Sequence, residues 1–349
     1  MTGLVPPLEW QRVFVEPWAA NSTSSAWIVL MGFFATATCG LVGNYLILRR
    51  MVLVGDAISH SVLAGIAGAF LLSGSRGSAW MFVGSLAAGI ITALLIEAIH
   101  RHTRVKQDSA IGIAFTSLFA LGVVLISLYG GRVDLDQECV LYGEIANVPV
   151  TVEPLPESLS RLAAHVPLLQ AEFLWRGVDL VMPPDVLRMA LLLMATGALI
   201  GVFYKELLVS SFDASLAVSL GIPAAVVHYG IMGILSLVAV SAFEAVGAIL
   251  VIAMLILPGA TAQLLSQRLP VILGLTLLHA ALSAVTGLHL GTWLDCSIAG
   301  AMVVAGGGWF ALAWVFNPRE GLLRRVLRSA PRHDAAQPAG GIGSKEHSR

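Results

Sequence analysis

Long apolar runs separated by short polar stretches make up most of this chain. Because the hydrocarbon core of a bilayer is about 30 Å thick, a helix that crosses it needs roughly 20 apolar residues. Nine runs approach or exceed that length, at residues 26–48, 56–73, 79–99, 109–130, 185–203, 226–244, 246–266, 271–290 and 295–317. The pattern predicts an all-α, polytopic membrane helical bundle of about nine transmembrane helices.

Polar stretches before, between and after the apolar runs define the predicted domain organisation. Residues 1–25 lack the basic start of a cleavable signal and are predicted to form an extracytoplasmic N-terminal segment. Residues 26–325 are predicted to form the transmembrane domain, in which residues 131–184 are an extracytoplasmic loop with room for one short interfacial helix. Residues 326–349 are predicted to be a disordered cytoplasmic tail.

The distribution of Lys and Arg predicts the orientation, since cytoplasmic loops of membrane proteins carry an excess of these residues. With the N-terminus outside and the C-terminus in the cytoplasm, 14 of the 20 Lys and Arg residues are cytoplasmic. These are Arg49, Arg50, Arg101, Arg104, Lys106, Lys205, Arg268, Arg319, Arg324, Arg325, Arg328, Arg332, Lys345 and Arg349.

Composition narrows the function classes. The chain is 57% hydrophobic and 12% charged, with a mean hydropathy of +0.85, which excludes an ordinary water-soluble globule. Its formal net charge of -1 argues against a nucleic-acid partner. The three cysteines are far apart, so they support neither a disulfide framework nor a thiolate metal site. None of the three lysines follows a glycine, which excludes a phosphate-binding GxxxxGK[ST] loop, so any ATP hydrolysis belongs to a separate subunit.

The stretch "GDAISHSVLAG", residues 55–65, places Asp56 and His60 one helical turn apart in an apolar run. Ionisable side chains inside membrane helices are costly and usually face a partner or a wet cavity. A carboxylate and an imidazole suit divalent manganese, iron or zinc. The same face and its neighbour continue with small residues that allow close helix approach: Ala64, Gly68, Ala57, Ser61, Gly65 and Ala69. The alternative is that Asp56 simply caps a helix.

A second stretch, "YKELLVSSFDASLAVSLGIP", covers residues 204–223 and falls in a predicted cytoplasmic loop. Asp213 can start a short helix there, and Gly221 with Pro223 can end one. Its apolar residues at helical spacing require another surface to cover them. Lys205 is its only basic residue, so a protein partner is favoured over anionic lipid.

Other ionisable residues leave two interpretations open. Glu244 could contribute to an ion path, or it could lie in water in the outer turn between the sixth and seventh spans. Glu97 lies at a predicted cytoplasmic helix end and is expected to be solvated. His228 lies near a span end and is expected to have a structural role.

Four motifs together resemble the membrane-spanning permease of the manganese, zinc and iron ABC importers. They are "RRMVLVGDAISHSVLAGIAGAF" (49–70), "DSAIGIAFTSLFALGVVLIS" (108–127), "KELLVSSFDASLAVSLGIP" (205–223) and "SAFEAVGAILVIAMLILPGATAQLL" (241–265). "VDLDQECVLYGEI" (133–145) and "NPREGLL" (317–323) resemble the treponemal and manganese-type branch. The resemblance covers about residues 26–325.

The resemblance implies a fold like that of the larger cobalamin-type (type II) importers and a location in the bacterial inner membrane. It implies a permease that pairs with a second copy or a paralogue, binds two ATPase subunits and receives metal from an extracytoplasmic binding protein. No permanently bound cofactor is implied, because the divalent ion is the transported substrate.

The resemblance also assigns roles to residues. Asp56 and His60 match the family's metal ligands, whereas Glu244 is a further candidate only from its position in the sequence. Lys205, Glu206, Phe212, Asp213 and Gly221 fall in the segment that couples the permease to the ATPase. Ala64 stands where relatives commonly have proline. The competing functions are an ATPase-independent secondary metal/proton carrier, which also needs membrane carboxylates and histidines, and a membrane scaffold that transports nothing.

Overall fold

The computed structural model describes residues 6–74, 78–129, 145, 183–317 and 321, without the side chains of 78–79, 244–245 and 248–249. Every regular element in these ranges is helical. After a turn of π-helix at Gln11–Val15, the helices are α1 (Glu16–Ala19), α2 (Ser22–Leu48), α3 (Leu53–Ser73), α4 (Ser78–His102), α5 (Gln107–Tyr129), α6 (Pro184–Val202), α7 (Tyr204–Phe212), α8 (Ala214–Ser219), α9 (Ala224–Val246), α10 (Ala248–Leu265), α11 (Leu269–Leu294) and α12 (Ile298–Phe316).

The predicted apolar runs all fall on long helices. Eight of these helices are long and apolar enough to cross a membrane, and the apolar helix Leu250–Leu265 within α10 is shorter. The all-α membrane bundle is therefore confirmed. α9 and α10 are separated only by Gly247, whose φ of 87° is favourable for glycine and interrupts what would otherwise be one continuous apolar helix.

The last three long helices, α10, α11 and α12, run in alternating directions. At one end of the bundle, Trp293 Nε1 near the end of α11 donates to the Pro6 carbonyl at 3.1 Å. At the other end, Asn317 Nδ2 after α12 donates to the Leu264 carbonyl near the end of α10 at 2.8 Å. The first and last described segments therefore lie at opposite ends of the bundle.

α2 and α3 form the centre of the described bundle. The most apolar windows of these two helices are 72% and 61% buried, whereas that of α5 is only 17% buried. α3 packs most extensively on α4 and α5, and α2 packs on α6, α10 and α11. The helix that carries Asp56 and His60 is thus one of the two that are best covered by the rest of the chain.

Close contact between α3 and α4 depends on glycines from the small-residue face predicted for α3. A Cβ added to Gly65 would overlap the Gly84 carbonyl group of α4, and one added to Gly84 would overlap the Gly65 carbonyl oxygen. The predicted close approach of a small-residue face is confirmed at this crossing.

We expect Gly65→Ala to lower the midpoint of thermal unfolding of the purified protein in detergent. The new methyl group must push α3 from α4, and overpacking of this kind costs about 1–3 kcal/mol. That cost exceeds the helix propensity of roughly 1 kcal/mol gained when alanine replaces glycine. Gly68→Ala is the matched control, because an added Cβ there meets no atom within 4 Å. Equal midpoints for the two variants would contradict this account of the crossing.

Several predicted features lie outside the described residues. These are the loop at residues 131–184 apart from 145, 183 and 184, the tail at 326–349, and Cys139. Of the other two cysteines, Cys39 is buried and Cys296 is exposed, and both are free thiols.

Candidate functional site

Asp56 and His60 form a contact pair on α3. His60 Nε2 lies 3.2 Å from Asp56 Oδ1, and the two side chains are 23% and 35% exposed. The helix begins at Leu53, and Val52 occupies the N-cap position without a side-chain capping hydrogen bond. Asp56 lies in the first turn, beyond the cap position, and its carboxylate faces the next turn. The alternative that Asp56 caps the helix is therefore wrong.

The pair lies deep in the bundle although Asp56 is close to the start of its own helix. Gly55 packs against Leu235, the midpoint of α9, and against Leu255 of α10. One turn further along α3, Ile58 packs against Gly89, next to the midpoint of α4. α3 therefore starts at about mid-height of its neighbours, so Asp56 and His60 are near the middle of α4 and α9 rather than at their ends.

Two phenylalanines of α5 hold the His60 ring. The ring centroid of His60 lies 5.2 Å from that of Phe115 and 5.9 Å from that of Phe119, the second in an edge-on arrangement. His60 Nδ1 is buried and has no hydrogen-bond partner among the described residues. Aromatic packing, and not hydrogen bonding at Nδ1, therefore fixes the ring. Sequence reasoning missed these residues, although their spacing of four on one helix face was visible.

The small-residue face of α3 continues from the pair into an open groove. A cavity of about 580 Å³ begins at Ala64, one turn after His60, and runs past Gly68 between α3, α4 and α5. Its walls are mostly apolar. Asp56 and His60 are not among its lining residues. The polar pair therefore lies nearer the start of α3, outside the groove.

Other candidate ligands do not join the pair within the described part of the chain. No group of three or more His, Cys, Asp or Glu residues is close enough there to hold a metal ion. Glu244 belongs to the last turn of α9, whose helix continues to Val246, and its side chain is outside the description. One described chain thus provides one carboxylate and one imidazole.

Residues 204–223, here called the docking segment, fold as two short helices, and the second is the short helix predicted to start at Asp213. Asp213 caps α8 as predicted: its Oδ1 accepts from the Ser215 and Leu216 amides at 2.9 and 3.0 Å and from Ser215 Oγ at 2.6 Å. The hydrogen bond from the Ser215 hydroxyl, followed by those from the two amides, lowers the pKa of Asp213. Gly221 has φ 80° and follows the C-cap residue of α8.

The docking segment presents apolar side chains at the surface. Leu207 and Ala217 are buried and attach it to the bundle, while Phe212, Leu216 and Leu220 are 68%, 50% and 62% exposed. Lys205 is exposed and Glu206 is half-buried. The structure therefore leaves an apolar surface beside a fixed helix cap.

A polar cluster that the sequence did not predict lies at the same end of the bundle. Glu97 is only 14% exposed and contacts both Arg101 and His228, the latter at 3.4 Å. His228 in turn lies 3.5 Å from Arg49, which reaches the docking segment. The expectation that Glu97 is simply solvated is wrong, because the ends of α4 and α9 pack together there.

Comparison with known proteins identifies the family. The model of the ABC 3 transport family matches residues 23–152 and 166–317. The chain belongs to that family. This confirms the resemblance drawn from the four motifs, and the chain is accordingly a membrane-spanning permease subunit and not the ATP-hydrolysing enzyme.

Two similar proteins are named as membrane proteins of metal transport systems. The manganese transport system membrane protein MntD of Bacillus subtilis is 44% identical over 307 residues, which are 87% of this chain and 96% of MntD. The zinc transport system membrane protein TroD of Treponema pallidum is 39% identical over 86% of this chain and 76% of TroD. A solved structure of PsaBC from Streptococcus pneumoniae in complex with Fab matches with a TM-score of 0.68 and 29% identity, over 90% of this chain and 98% of that one.

Proposed function

We propose that this permease carries divalent transition-metal ions, namely Mn²⁺, Zn²⁺ or Fe²⁺, into the cell as part of an ATP-driven importer of the bacterial inner membrane. The observation that carries the proposal is the Asp56–His60 pair, which lies at the start of the central helix α3, level with the middle of α4 and α9, in a chain of the ABC 3 transport family. The manganese and zinc systems of its relatives support the same class of substrate.

The chemistry of the pair fits such ions. A carboxylate oxygen and an imidazole nitrogen bind all three metals. A second copy, or a paralogue, facing this one across the pathway would bring the set to two carboxylates and two imidazoles, with Glu244 as a further candidate. These ligands would replace part of the ion's hydration shell while binding weakly enough to release it.

The phenylalanines around His60 support this role by holding the imidazole in one orientation. We expect the double variant Phe115→Leu/Phe119→Leu to bind Mn²⁺ about tenfold more weakly, as found for residues that orient metal ligands. Calorimetric titration of the purified complex measures this. Phe310→Leu, on the half-buried face of α12, is the matched control. Wild-type affinity in the double variant would exclude an orienting role for these rings.

ATP would be hydrolysed by partner subunits that bind the docking segment. Its exposed Phe212 offers an apolar anchor, Asp213 fixes the start of α8, and Gly221 turns the chain back into the bundle. Lys205 and Glu206 precede the anchor in the first turn of α7. We assign all five residues to coupling with the ATPase.

Two arginines at the docking end of the bundle support the predicted orientation. Arg49 contacts the docking segment, and Arg101 lies over the Tyr229 ring near the start of α9, so both belong to the docking end of the bundle. The N-terminal segment lies at the opposite end. We assign the docking end to the cytoplasm and the N-terminal end to the outside, where a metal-binding protein would deliver the ion.

Uptake by proteoliposomes containing the permease with its ATPase and binding protein tests the proposal. We expect ATP-dependent accumulation of one of the three ions, with the other two competing. Uptake that needs no ATP and follows a pH gradient would instead establish the secondary metal/proton carrier. Absence of uptake of any of the three ions, with or without ATP, would overturn the proposed function.

A further inference from the structure

Arg49 joins the end of α2 to the docking segment. Its Nη2 donates to Ser210 Oγ at 2.9 Å, and its Nε donates to Ser211 Oγ at 3.2 Å. Both serines are buried in the last turn of α7, immediately before the exposed Phe212. The guanidinium thus binds the docking segment from its inner side, opposite the surface that a partner subunit would contact.

The same guanidinium reaches the helices that flank α3. Arg49 Nη1 lies 3.5 Å from His228 Nδ1 on α9. His228 Nε2 lies 3.4 Å from Glu97 Oε2 on α4, and Glu97 also pairs with Arg101. Since α4 packs along α3 more extensively than any other helix, this branch ends on the main support of α3.

Arg49 also lies directly before the short connection between α2 and α3, the helix that carries Asp56 and His60. It is the C-cap residue of α2, and only Arg50, Met51 and Val52 separate it from the first residue of α3. That connection is tightly folded: Arg50 has φ 59°, and the Met51 amide donates to the Leu46 carbonyl at 2.9 Å. A connection this short can change its length very little, so it absorbs little of any movement of Arg49.

Capping of α2 alone does not account for this arrangement. An arginine at a helix C-terminus can bind the last carbonyls of its own helix, whereas the Arg49 side-chain hydrogen bonds go to α7 and α9. Burial lowers the pKa of the Arg49 guanidinium, which reflects its removal from water. Hydrogen bonds to a charge shielded from water are stronger than those at a wet surface.

We infer that Arg49 is a positioning residue that transmits displacement of the docking segment to α3, and so moves Asp56 and His60 during transport. This inference rests on the proposed function. Arg49 touches neither the metal ligands nor the surface for the ATPase, so its replacement should break the connection between two intact sites.

The ratio of metal ions transported to ATP hydrolysed tests the inference in proteoliposomes that contain the full complex. We expect R49M to lower this ratio at least about tenfold, the effect of losing charged hydrogen bonds. Its ATP hydrolysis and its Mn²⁺ affinity should stay within about twofold of wild type. R49K, which keeps the charge but not the forked donor geometry, should recover part of the ratio.

Two further variants separate transmission from a general effect. R50M removes the neighbouring arginine, which is exposed and has no side-chain contact within the described residues, and should keep the wild-type ratio. The double variant S210A/S211A leaves Arg49 in place but removes its acceptors, and should lower the ratio as R49M does.

Three outcomes would overturn the inference: an unchanged ratio in R49M, an equal loss in R50M, or a parallel loss of Mn²⁺ affinity in both R49M and S210A/S211A. Each of these presupposes that the wild-type complex transports metal. A wild-type complex without ATP-driven metal uptake would instead overturn the proposed function, so the two failures are distinguishable.

Discussion

Asp56→Asn is expected to abolish ATP-driven metal uptake while leaving the permease folded and assembled. The substitution keeps the shape of the side chain but removes the negative charge that attracts a divalent ion. Changes that only disturb the orientation of a metal ligand already cost 10–100-fold in affinity, so loss of a ligand's charge should cost about 100-fold or more. Uptake of radioactive Mn²⁺ and equilibrium Mn²⁺ binding by the same complex measure the effect.

The position of Asp56 explains why the variant is expected to fold like the wild type. Its side chain is partly exposed, and its contact in the described structure is with His60, one turn away on the same helix. Removing the charge therefore breaks no link between helices. His60→Gln should have a similar effect on uptake, because it removes the second ligand of the same pair.

Asp295→Asn is the matched control for the same chemical change. Asp295 is 83% exposed, lies at the opposite end of the bundle from the docking segment, and pairs with Arg12 at 3.5 Å. Mn²⁺ uptake by the Asp295→Asn complex should equal that of the wild-type complex. Wild-type uptake by a correctly assembled Asp56→Asn complex would mean that this carboxylate does not bind the transported ion.

The sequence predicted those features that depend on neighbouring residues. Hydrophobic runs gave the helices, and Gly65 marked the close contact with α4 because small residues recur at helical spacing. The helix cap at Asp213 and the turn at Gly221 followed from local chemistry in the same way. The family motifs favoured the metal-ligand role that we propose for Asp56 and His60, which the local pattern alone had left undecided.

Features that depend on distant segments could not be predicted. The depth of Asp56 follows from α3 starting at mid-height of α4 and α9, a matter of packing between helices. The burial of Glu97 arises because His228, more than a hundred residues later, packs beside it. The Phe115 and Phe119 contacts with His60 likewise require α5 to pack against α3. Single apolar or charged residues give no such information by themselves.

The position of Phe212 makes the docking segment testable independently of the metal site. Phe212 is 68% exposed at the end of α7, whereas Leu207, one and a half turns earlier, is 3% exposed and holds the same helix to the bundle. A change at Phe212 should therefore alter the surface without releasing the segment. Large exposed aromatic side chains are the residues that most often dominate binding between proteins.

Phe212→Asp is expected to weaken binding of the ATPase subunit about 30-fold, the effect of losing a dominant aromatic anchor. ATP-driven uptake should fall together with this affinity, because fewer permeases would have an ATPase subunit bound. Co-purification and a binding titration with the isolated ATPase measure the loss. Phe212→Leu keeps an apolar anchor and should retain most of the affinity. The Phe212→Asp permease should unfold at the wild-type temperature. If it then bound the ATPase as tightly as wild type does, the docking surface would lie elsewhere.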